Sequence, residues 1–214
     1  MNIAIFARYV EEERVTYTDK KYTITGAFEP IAERCGFSLI PILPSTDINT
    51  LLQVADGIII PGCRTDVDPK HYNAPLDPHT YNKPYDMYAS DIPFIEAFIN
   101  SGKKVLGICA GLQELNVYFG GTLKQHIEGH NQRGMRHQVT LKEDSCLYKM
   151  YGTKQLSVSS THHQCIDVLA PGVKQIAVSD DGIIEAFEKD NILAVQWHPE
   201  AMDDQLIFEK FFGI

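Results

Sequence analysis

The chain has 214 residues, of which 44% are hydrophobic and 22% are charged, and this size and composition fit one domain spanning residues 1–214. Its formal net charge of −9 opposes binding to nucleic acid, since no stripe of lysine or arginine reverses the charge locally. The sequence shows neither a signal peptide pattern nor an apolar run approaching the ~20 residues that span a bilayer, so we expect a cytoplasmic protein without membrane contact.

In the first half of the chain, short apolar strands alternate with helical patterns. This alternation predicts a parallel sheet covered by helices on both faces. The predicted elements, in chain order, are the strand Asn2–Phe6, the helix Phe28–Arg34, the strand Ser38–Ile42, the helix Asp47–Val54, the strand Gly57–Ile60, the helix Tyr85–Asn100, the strand Val105–Ile108 and the helix Leu112–Tyr118. The long loop from Cys63 to Pro84 is rich in Pro, Asp, Asn and His, and loops of this length in a compact domain usually serve function.

From Arg136 onward the pattern changes to strands joined by tight turns, which predicts an antiparallel portion. These strands are Val139–Leu141, Leu156–Ser159, Gln175–Val178, Ile183–Phe187 and Leu193–Gln196, and a last helix is predicted at Ile207–Phe212.

The cysteines are scattered along the chain, at positions 35, 63, 109, 146 and 165. An odd number without a C-x-x-C pair argues against a disulfide framework and against a structural zinc site. A lone cysteine is usually a small buried hydrophobic residue, and four of the five fit that description or a loop position. Cys109 does not.

Cys109 joins an apolar strand to a helix-forming stretch. Gly107 and Gly111 lie two residues on either side of it, as small residues do at a nucleophile elbow. A thiol at a helix N-terminus meets partial positive charge, which favours the thiolate. The backbone N–H of Ala110 is directed toward the place where an oxyanion would form. The motif therefore predicts Cys109 as a nucleophile.

A thiolate nucleophile needs a base, and a histidine near the C-terminal end of the sequence can supply it. His198 follows a predicted strand, and Pro199 restricts the backbone there. Glu200 can bond one imidazole nitrogen and fix the tautomer, which leaves the other nitrogen for sulfur. Alone, His-Pro-Glu would fit a surface turn. Together with the cysteine elbow, it predicts a triad of Cys109, His198 and Glu200.

Pro61, Gly62 and Cys63 end the strand Gly57–Ile60 abruptly. Open α/β sheets place their sites at the carboxyl ends of the strands. The backbone N–H of Gly62 or Cys63 could therefore join that of Ala110 in an oxyanion hole. A plain turn explains this motif equally well when it is taken alone.

In this order, the motifs Pro-Gly, Gly-x-Cys-x-Gly-x-Gln and Trp-His-Pro-Glu resemble the class I glutamine amidotransferases. The chain looks most similar to γ-glutamyl hydrolases of the γ-glutamyl-γ-aminobutyrate hydrolase type, peptidase family C26. The resemblance is strong from Asp56 to Glu200 and implies an α/β fold, flavodoxin-like, with an open, mainly parallel central sheet, helices on both faces and a smaller antiparallel sheet. Further matching stretches are Asp66–Tyr72, Gln113–Leu123, Ser159–Gln164 and Asp181–Ala186.

The resemblance also implies roles for individual residues. Cys109 would be the nucleophile, His198 the general base and acid, and Glu200 the residue that orients the imidazole. The oxyanion donors would come from Gly62, Cys63 and Ala110. Gln113 would help to hold the glutamyl group, and a second segment would border the substrate, namely Ser160, Thr161, His162 and His163.

Neither a cofactor nor a metal is expected. His162 and His163 could suggest a metal pair, but adjacent side chains point opposite ways in an extended chain, and the sequence shows no third ligand.

Three residues depart from the family pattern. Cys63 stands where many members have glycine, Ala110 where they have arginine or leucine, and Ser159 where close relatives have asparagine. Any residue other than proline supplies a backbone N–H, so the oxyanion hole can survive these changes. The pocket wall differs, however, so the leaving amine need not be γ-aminobutyrate.

These motifs predict a hydrolase that cleaves a small γ-glutamyl amide through a thioester on Cys109, releasing glutamate and an amine. An alternative is a glutaminase subunit that delivers ammonia to a separate synthase partner. The loop from Asp66 to Tyr72 and the lack of a synthase domain in this sequence favour the hydrolase. A third alternative, a degenerate binding protein, is disfavoured by the intact triad. The sequence leaves the amine and the oligomeric state open, a homodimer included.

Overall fold

A computed structural model describes residues 1–13 and 15–214, with the side chain of residue 133 left out. The strands are β1 (Asn2–Phe6), β2 (Arg8–Glu13), β3 (Thr18–Thr23), β4 (Ser38–Ile42), β5 (Gly57–Ile60), β6 (Lys104–Ile108), β7 (Leu123–Lys124), β8 (Asn131–Leu141), β9 (Gln155–Thr161), β10 (Cys165–Ile166), β11 (Lys174–Ser179), β12 (Ile184–Lys189) and β13 (Ile192–Val195). The helices are α1 (Phe28–Cys35), α2 (Ile48–Val54), α3 (Met87–Asn100), α4 (Ala110–Tyr118), α5 (Cys146–Tyr151) and α6 (Gln205–Phe212), with short 3₁₀ helices at Pro69–Tyr72 and Pro199–Met202.

The central sheet has nine strands in the order β4-β1-β5-β6-β13-β12-β11-β8-β9. The first five strands are parallel, and from β13 onward each strand runs antiparallel to its neighbour. Two small antiparallel sheets, β2–β3 and β7–β10, stand beside it. The predicted fold class is confirmed, and the structure adds that the larger antiparallel portion continues the parallel sheet.

Strands β1, β5, β6 and β13 are buried on both faces, as their continuous apolar sequences require, whereas the edge strand β4 is partly exposed. Their side chains alternate between two cores. In β1, Ile3 and Ile5 belong to the core beneath α1, α5 and α6, whereas Ala4 and Phe6 belong to the core beneath α2, α3 and α4. This two-sided cover follows from the alternation of strands and helices in the sequence.

Capping residues fix where several helices begin. The side chains of Asp47, Asp86 and Ser145 accept hydrogen bonds from backbone N–H groups three residues later, at 2.8, 3.0 and 3.0 Å. Gly36 ends α1 in the left-handed conformation, with φ of 71°. Within the described residues, no helix has the length and apolar character needed to cross a membrane.

The sequence did not indicate the hairpin of β2 and β3. Its strands are rich in charged residues and, within the described residues, pair with each other alone. They lack the apolar run by which the central strands are identified. Tyr9 packs on Tyr22 and Tyr85 and fixes the hairpin beside the start of α3. The short helix α5 and the two-residue strands β7 and β10 were also not predicted, because elements of this length carry almost no periodic signal.

Candidate active site

Three neighbouring parallel strands bring the predicted catalytic segments to one edge of the sheet. Strand β6 lies between β5 and β13, with Ile60 opposite Gly107 and Val195 opposite Ile108. The residues that follow these strands therefore meet at their carboxyl ends, where open α/β sheets form sites.

Cys109 occupies a strained turn between β6 and α4. Its φ of 54° and ψ of −104° fall in a region that residues other than glycine rarely adopt. Its N–H donates to Val195 O at 2.8 Å. A Cβ at Gly111 would lie 2.1 Å from Ile60 O, and one at Gly107 would lie 2.8 Å from Gly111 O. The two glycines are thus required by close backbone approach, as at a nucleophile elbow.

His198 and Glu200 meet as the sequence predicted. Nδ1 of His198 donates to Glu200 Oε1 at 2.6 Å, and the Glu200 side chain is nearly buried. The position of a Cβ on Gly62 lies 2.6 Å from His198 Cε1 and 3.5 Å from Cys109 Cβ. The imidazole and the cysteine side chain therefore both lie against the Gly62 turn.

The electrostatics of His198 favour the imidazolium. Burial alone would lower its pKa, but the charge of Cys109 and hydrogen bonds with Cys109 and Glu200 raise the pKa to about 11. The backbone N–H of His198 donates to Ser159 Oγ at 3.0 Å, which fixes the segment that carries the ring. A thiolate beside a proton donor is the charge state that nucleophilic attack requires.

A buried arginine holds the turn after β5. Arg8 donates through Nη2 to Pro61 O at 2.6 Å and forms an ion pair with Asp91. Burial is the largest effect on Glu114, 3.5 Å from the same guanidinium, and raises its pKa well above the ordinary value. Arg8 was missed in the sequence; its position directly after the first buried strand, at the same edge as the site, was the available signal.

The anchored carbonyl sets the direction of the Gly62 N–H, which the sequence predicts as an oxyanion donor. In a trans peptide, C=O and the next N–H point opposite ways, so fixing Pro61 O also fixes the Gly62 N–H. Among the described backbone pairs, the N–H groups of Gly62, Cys63 and Ala110 have no acceptor. The predicted oxyanion donors thus remain available.

These residues open onto a cleft of about 1000 Å³. The predicted residues that line it are Gly62, Cys63, Cys109, Thr161, His198 and Glu200. The β2–β3 hairpin forms one wall with Tyr9 and Val10, which the sequence did not indicate. Arg64 and Arg136, both exposed, add positive charge to the lining.

The other five predicted residues, namely Ala110, Gln113, Ser160, His162 and His163, are not part of the cleft lining. Gln113 lies beneath it, and its Nε2 donates to Gln164 O and Gln196 Oε1, both at 3.2 Å. Ser160 donates through Oγ to His130 O at 3.0 Å. Their direct contact with substrate stays a prediction.

The adjacent residues His162 and His163 point to different surroundings, as an extended chain requires. His162 is buried beside His130 and Glu185. His163 Nε2 lies 3.2 Å from Asp66 Oδ1, and this hydrogen bond raises the pKa of His163. Since Asp66 also accepts from Tyr81 N at 2.7 Å, His163 fastens the long loop that borders the cleft.

A second group of titratable side chains lies apart from the triad. Among the described residues, His130, His137 and Glu185 offer ligand atoms that all lie within 4.8 Å of one another. No sequence motif indicates this group, because Glu185 lies about fifty positions after the two histidines and the three residues have no ligand spacing.

Comparisons with known proteins show the family and the fold of this chain. The family model of peptidase C26 matches residues 2–200. The glutamine amidotransferase-like protein YvdE of Lactococcus lactis is 33% identical over 94% of this chain and 90% of its own length. The γ-glutamyl-γ-aminobutyrate hydrolase PuuD of Escherichia coli is 31% identical over 77% of this chain and 73% of its own length. The crystal structure of a glutamine amidotransferase from Thermotoga maritima, 16% identical, superposes with a TM-score of 0.67 over 97% of this chain and 80% of that one.

Proposed function

The chain belongs to the peptidase C26 family, and from the geometry of its cleft we propose that it hydrolyses the γ-glutamyl amide bond of a small γ-glutamyl compound. The products would be glutamate and an amine. The observation that carries this proposal is Cys109 in a strained elbow, beside an imidazole that is hydrogen-bonded to Glu200. This is the arrangement of an activated nucleophile, its acid–base partner and an orienting carboxylate.

In the first step, the Cys109 thiolate attacks the γ-carbonyl carbon and the carbonyl electrons move to oxygen. The N–H groups of Gly62, Cys63 and Ala110 stabilise this oxyanion. As the C–N bond breaks, the His198 imidazolium gives its proton to the leaving amine. The product of this step is a γ-glutamyl thioester on Cys109 with a neutral imidazole beside it.

In the second step, neutral His198 takes a proton from water, and the hydroxide attacks the thioester carbonyl. The same backbone donors stabilise the second oxyanion. Collapse breaks the C–S bond, so glutamate leaves and the thiolate–imidazolium pair is restored. Glu200 holds the imidazole in one orientation through both steps, since its bond to Nδ1 leaves Nε2 for the proton transfers.

The charge of the cleft supports a substrate that carries a carboxylate. The chain has a net charge of −9, yet Arg64 and Arg136 lie in the cleft lining. A γ-glutamyl group presents an α-carboxylate, which guanidinium groups bind well. The E. coli relative acts on a γ-glutamyl compound by its name, and it is similar over most of this chain.

The central experiment is a screen of γ-glutamyl amides, glutamine included, that follows glutamate release by the purified chain. Cys109→Ala and Cys109→Ser should lower turnover by about 10⁴-fold or more, because the nucleophile is lost. Cys35→Ala is the matched control, since Cys35 is buried in the core beneath α1. A fully active Cys109→Ala protein would refute the proposal.

The same screen tests the amidotransferase alternative, in which the chain is a glutaminase that supplies a synthase. The name of the L. lactis relative favours testing it. Under that alternative, glutamine is the only substrate and its turnover requires an added synthase. Rapid hydrolysis of other γ-glutamyl amides by the chain alone would exclude it.

A second experiment tests carboxylate recognition. Arg64→Gln and Arg136→Gln should each raise KM about 10- to 100-fold if the guanidinium binds the α-carboxylate, because hydrogen bonds to charged groups contribute ~1.5–3 kcal/mol. Arg34→Gln is the control, since Arg34 pairs with Asp203 at the surface. Unchanged KM in both cleft variants would remove the charge argument and leave the triad intact.

A further inference from the structure

Three buried side chains and one that is partly exposed, His137, converge in the antiparallel half of the sheet. His130 precedes β8, His137 lies within β8, His162 follows β9 and Glu185 lies on β12. Oε1 of Glu185 is 3.2 Å from His137 Nε2, 3.5 Å from His162 Nε2 and 3.8 Å from His130 Nδ1. None of these atoms takes part in the chemistry proposed for Cys109.

The hydrogen bonds of two of the rings fix their tautomers. His130 Nε2 lies 2.9 Å from Asp181 Oδ2, and His162 Nδ1 lies 3.0 Å from Gln164 O. Both oxygens can only accept, so these nitrogens carry the protons. The remaining nitrogens, His130 Nδ1 and His162 Nε2, then present lone pairs to each other at 3.2 Å. Two lone pairs repel at this distance unless a cation lies between them.

Glu185 needs a cation at the same place. Its side chain is fully buried; Oε1 lies 3.2 Å from His137 Nε2, but within the described part of the chain neither oxygen has a hydrogen-bond partner of good geometry. Both nitrogens of His137 are likewise without one. An ionised carboxylate in such surroundings is strongly disfavoured unless it is paired or binds a metal.

We propose that this cluster binds one divalent transition-metal ion, for which Zn²⁺ is the probe. His130 Nδ1, His137 Nε2 and Glu185 Oε1 are the proposed ligands, and His162 Nε2 is the candidate for a fourth. Imidazole and carboxylate suit Zn²⁺, and tetrahedral bonds of ~2.0–2.1 Å place ligand atoms roughly 3.3 Å apart. The observed separations from Glu185 Oε1, between 3.2 and 3.8 Å, match that spacing.

Asp181 has the position of an outer-shell residue. A metal-binding histidine usually donates its other N–H to a carboxylate, which fixes the ring and increases its basicity. Asp181 accepts that bond from His130, and its second oxygen accepts from Ser179 Oγ. The ion would join β8, β9 and β12, and it would lie behind the helix of the cysteine elbow, since Gln164 O also accepts from Gln113.

The direct test is zinc uptake by Cys109→Ala protein, which removes the competing thiolate of the cleft. The protein is treated with a chelator, dialysed and then supplied with Zn²⁺. We expect elemental mass spectrometry to find one Zn²⁺ per chain, and we expect the Tm to be higher than that of the zinc-free protein. Co²⁺ in the same site should give d–d absorption without the sulfur charge-transfer band of a cysteine ligand. Failure of the chelated protein to bind either ion would overturn the proposal, whatever the activity of the wild-type chain.

Variants locate the ion. In the same background, His137→Gln and Glu185→Gln should lose stoichiometric binding, and Asp181→Asn should weaken affinity about 10- to 100-fold, as outer-shell changes do. The matched control is His126→Gln, which removes a ring of a different histidine group, formed with His79 and His163. Zinc lost in His126→Gln but kept in His137→Gln would place the ion elsewhere.

The competing explanation is a buried proton. In that case one imidazole is protonated, Glu185 pairs with it and no metal is bound. The folded wild-type chain would then show neither zinc uptake nor a zinc-dependent Tm, and this result overturns the proposal even if the cluster variants fail to fold.

Discussion

Two of the histidine–glutamate pairs in the molecule, His198–Glu200 and His137–Glu185, look alike and differ in their surroundings. His198 and Glu200 lie 2.6 Å apart at the edge of the parallel half, beside a thiol and an open cleft. His137 and Glu185 lie 3.2 Å apart in the antiparallel half, among two further imidazoles. In the first pair, His198 Nδ1 is hydrogen-bonded to Glu200, and the imidazole also interacts with the Cys109 thiol. In the second, no nitrogen of His137 has a hydrogen-bond partner among the described residues.

A histidine–glutamate pair by itself therefore does not determine whether a site performs acid–base catalysis or binds a cation. A carboxylate on one imidazole nitrogen, with a nucleophile on the other side, makes an acid–base catalyst. Several lone pairs directed at a buried carboxylate make a place for a cation. Variants of the two pairs should therefore have separable effects.

Apart from removal of the Cys109 thiol, the largest loss of activity is expected from Glu200→Gln. The imidazole loses its orienting carboxylate, so kcat/KM for a γ-glutamyl amide should fall by about 10²- to 10⁴-fold. Zinc stoichiometry should remain at one per chain, because Glu200 lies outside the cluster. Glutamate release and metal content are measured on the same preparation. Loss of zinc with retained activity would mean that Glu200 serves metal binding and not catalysis, which contradicts the assignment of the two pairs.

A smaller loss, about 10²- to 10³-fold in kcat/KM, is expected from Gly62→Ala. The added Cβ would lie 2.6 Å from His198 Cε1, so the ring or the Gly62 turn must shift, which disturbs the placement of His198 relative to Cys109. Gly26→Ala is the matched control, because its Cβ would meet nothing within 4 Å. Equal activity of the two variants would mean that the turn does not set the catalytic geometry.

The pH dependence of kcat/KM tests the protonation of His198. Burial would lower the pKa of His198, but Cys109 and Glu200 raise it to about 11, so the ring keeps its proton through the neutral range. The imidazolium and its stabilising contacts are fully present below the ordinary value of ~6.5 and are lost as the pH rises toward 11. We expect the alkaline decline of kcat/KM to lie well above neutral pH and to move lower in Glu200→Gln. A wild-type decline centred near the ordinary value for histidine would contradict the ion pair.

The smallest effect is expected from Ser159→Ala. The His198 N–H would lose its acceptor at 3.0 Å, which costs about 0.5–1.5 kcal/mol of unfolding free energy. Denaturant unfolding measures this change, and Ser157→Ala on the same strand is the control. If both variants unfold alike, the Ser159 bond contributes nothing to holding the histidine segment.

The sequence by itself determined the parallel half and the order of the catalytic motifs. Buried parallel strands are continuous apolar runs, and the elbow needs Gly107 and Gly111 within a few positions of Cys109. His198 and Glu200 are two residues apart, so their pairing is a local feature that a short motif can carry. The bounds of β4 and β5 were also predicted residue for residue, because the residues that begin and end a strand are local features of the sequence.

Only the tertiary structure decided the cleft wall and the histidine cluster. The β2–β3 hairpin has no apolar run, and Arg8 acquires its role by reaching Pro61 O, 53 residues away in the chain. His130, His137, His162 and Glu185 come from three separate segments, and in the sequence only the adjacent histidines His162 and His163 suggested a metal, without a third ligand. Contacts made by folding distant segments together leave no spacing in the sequence, because burial and distance in three dimensions select them.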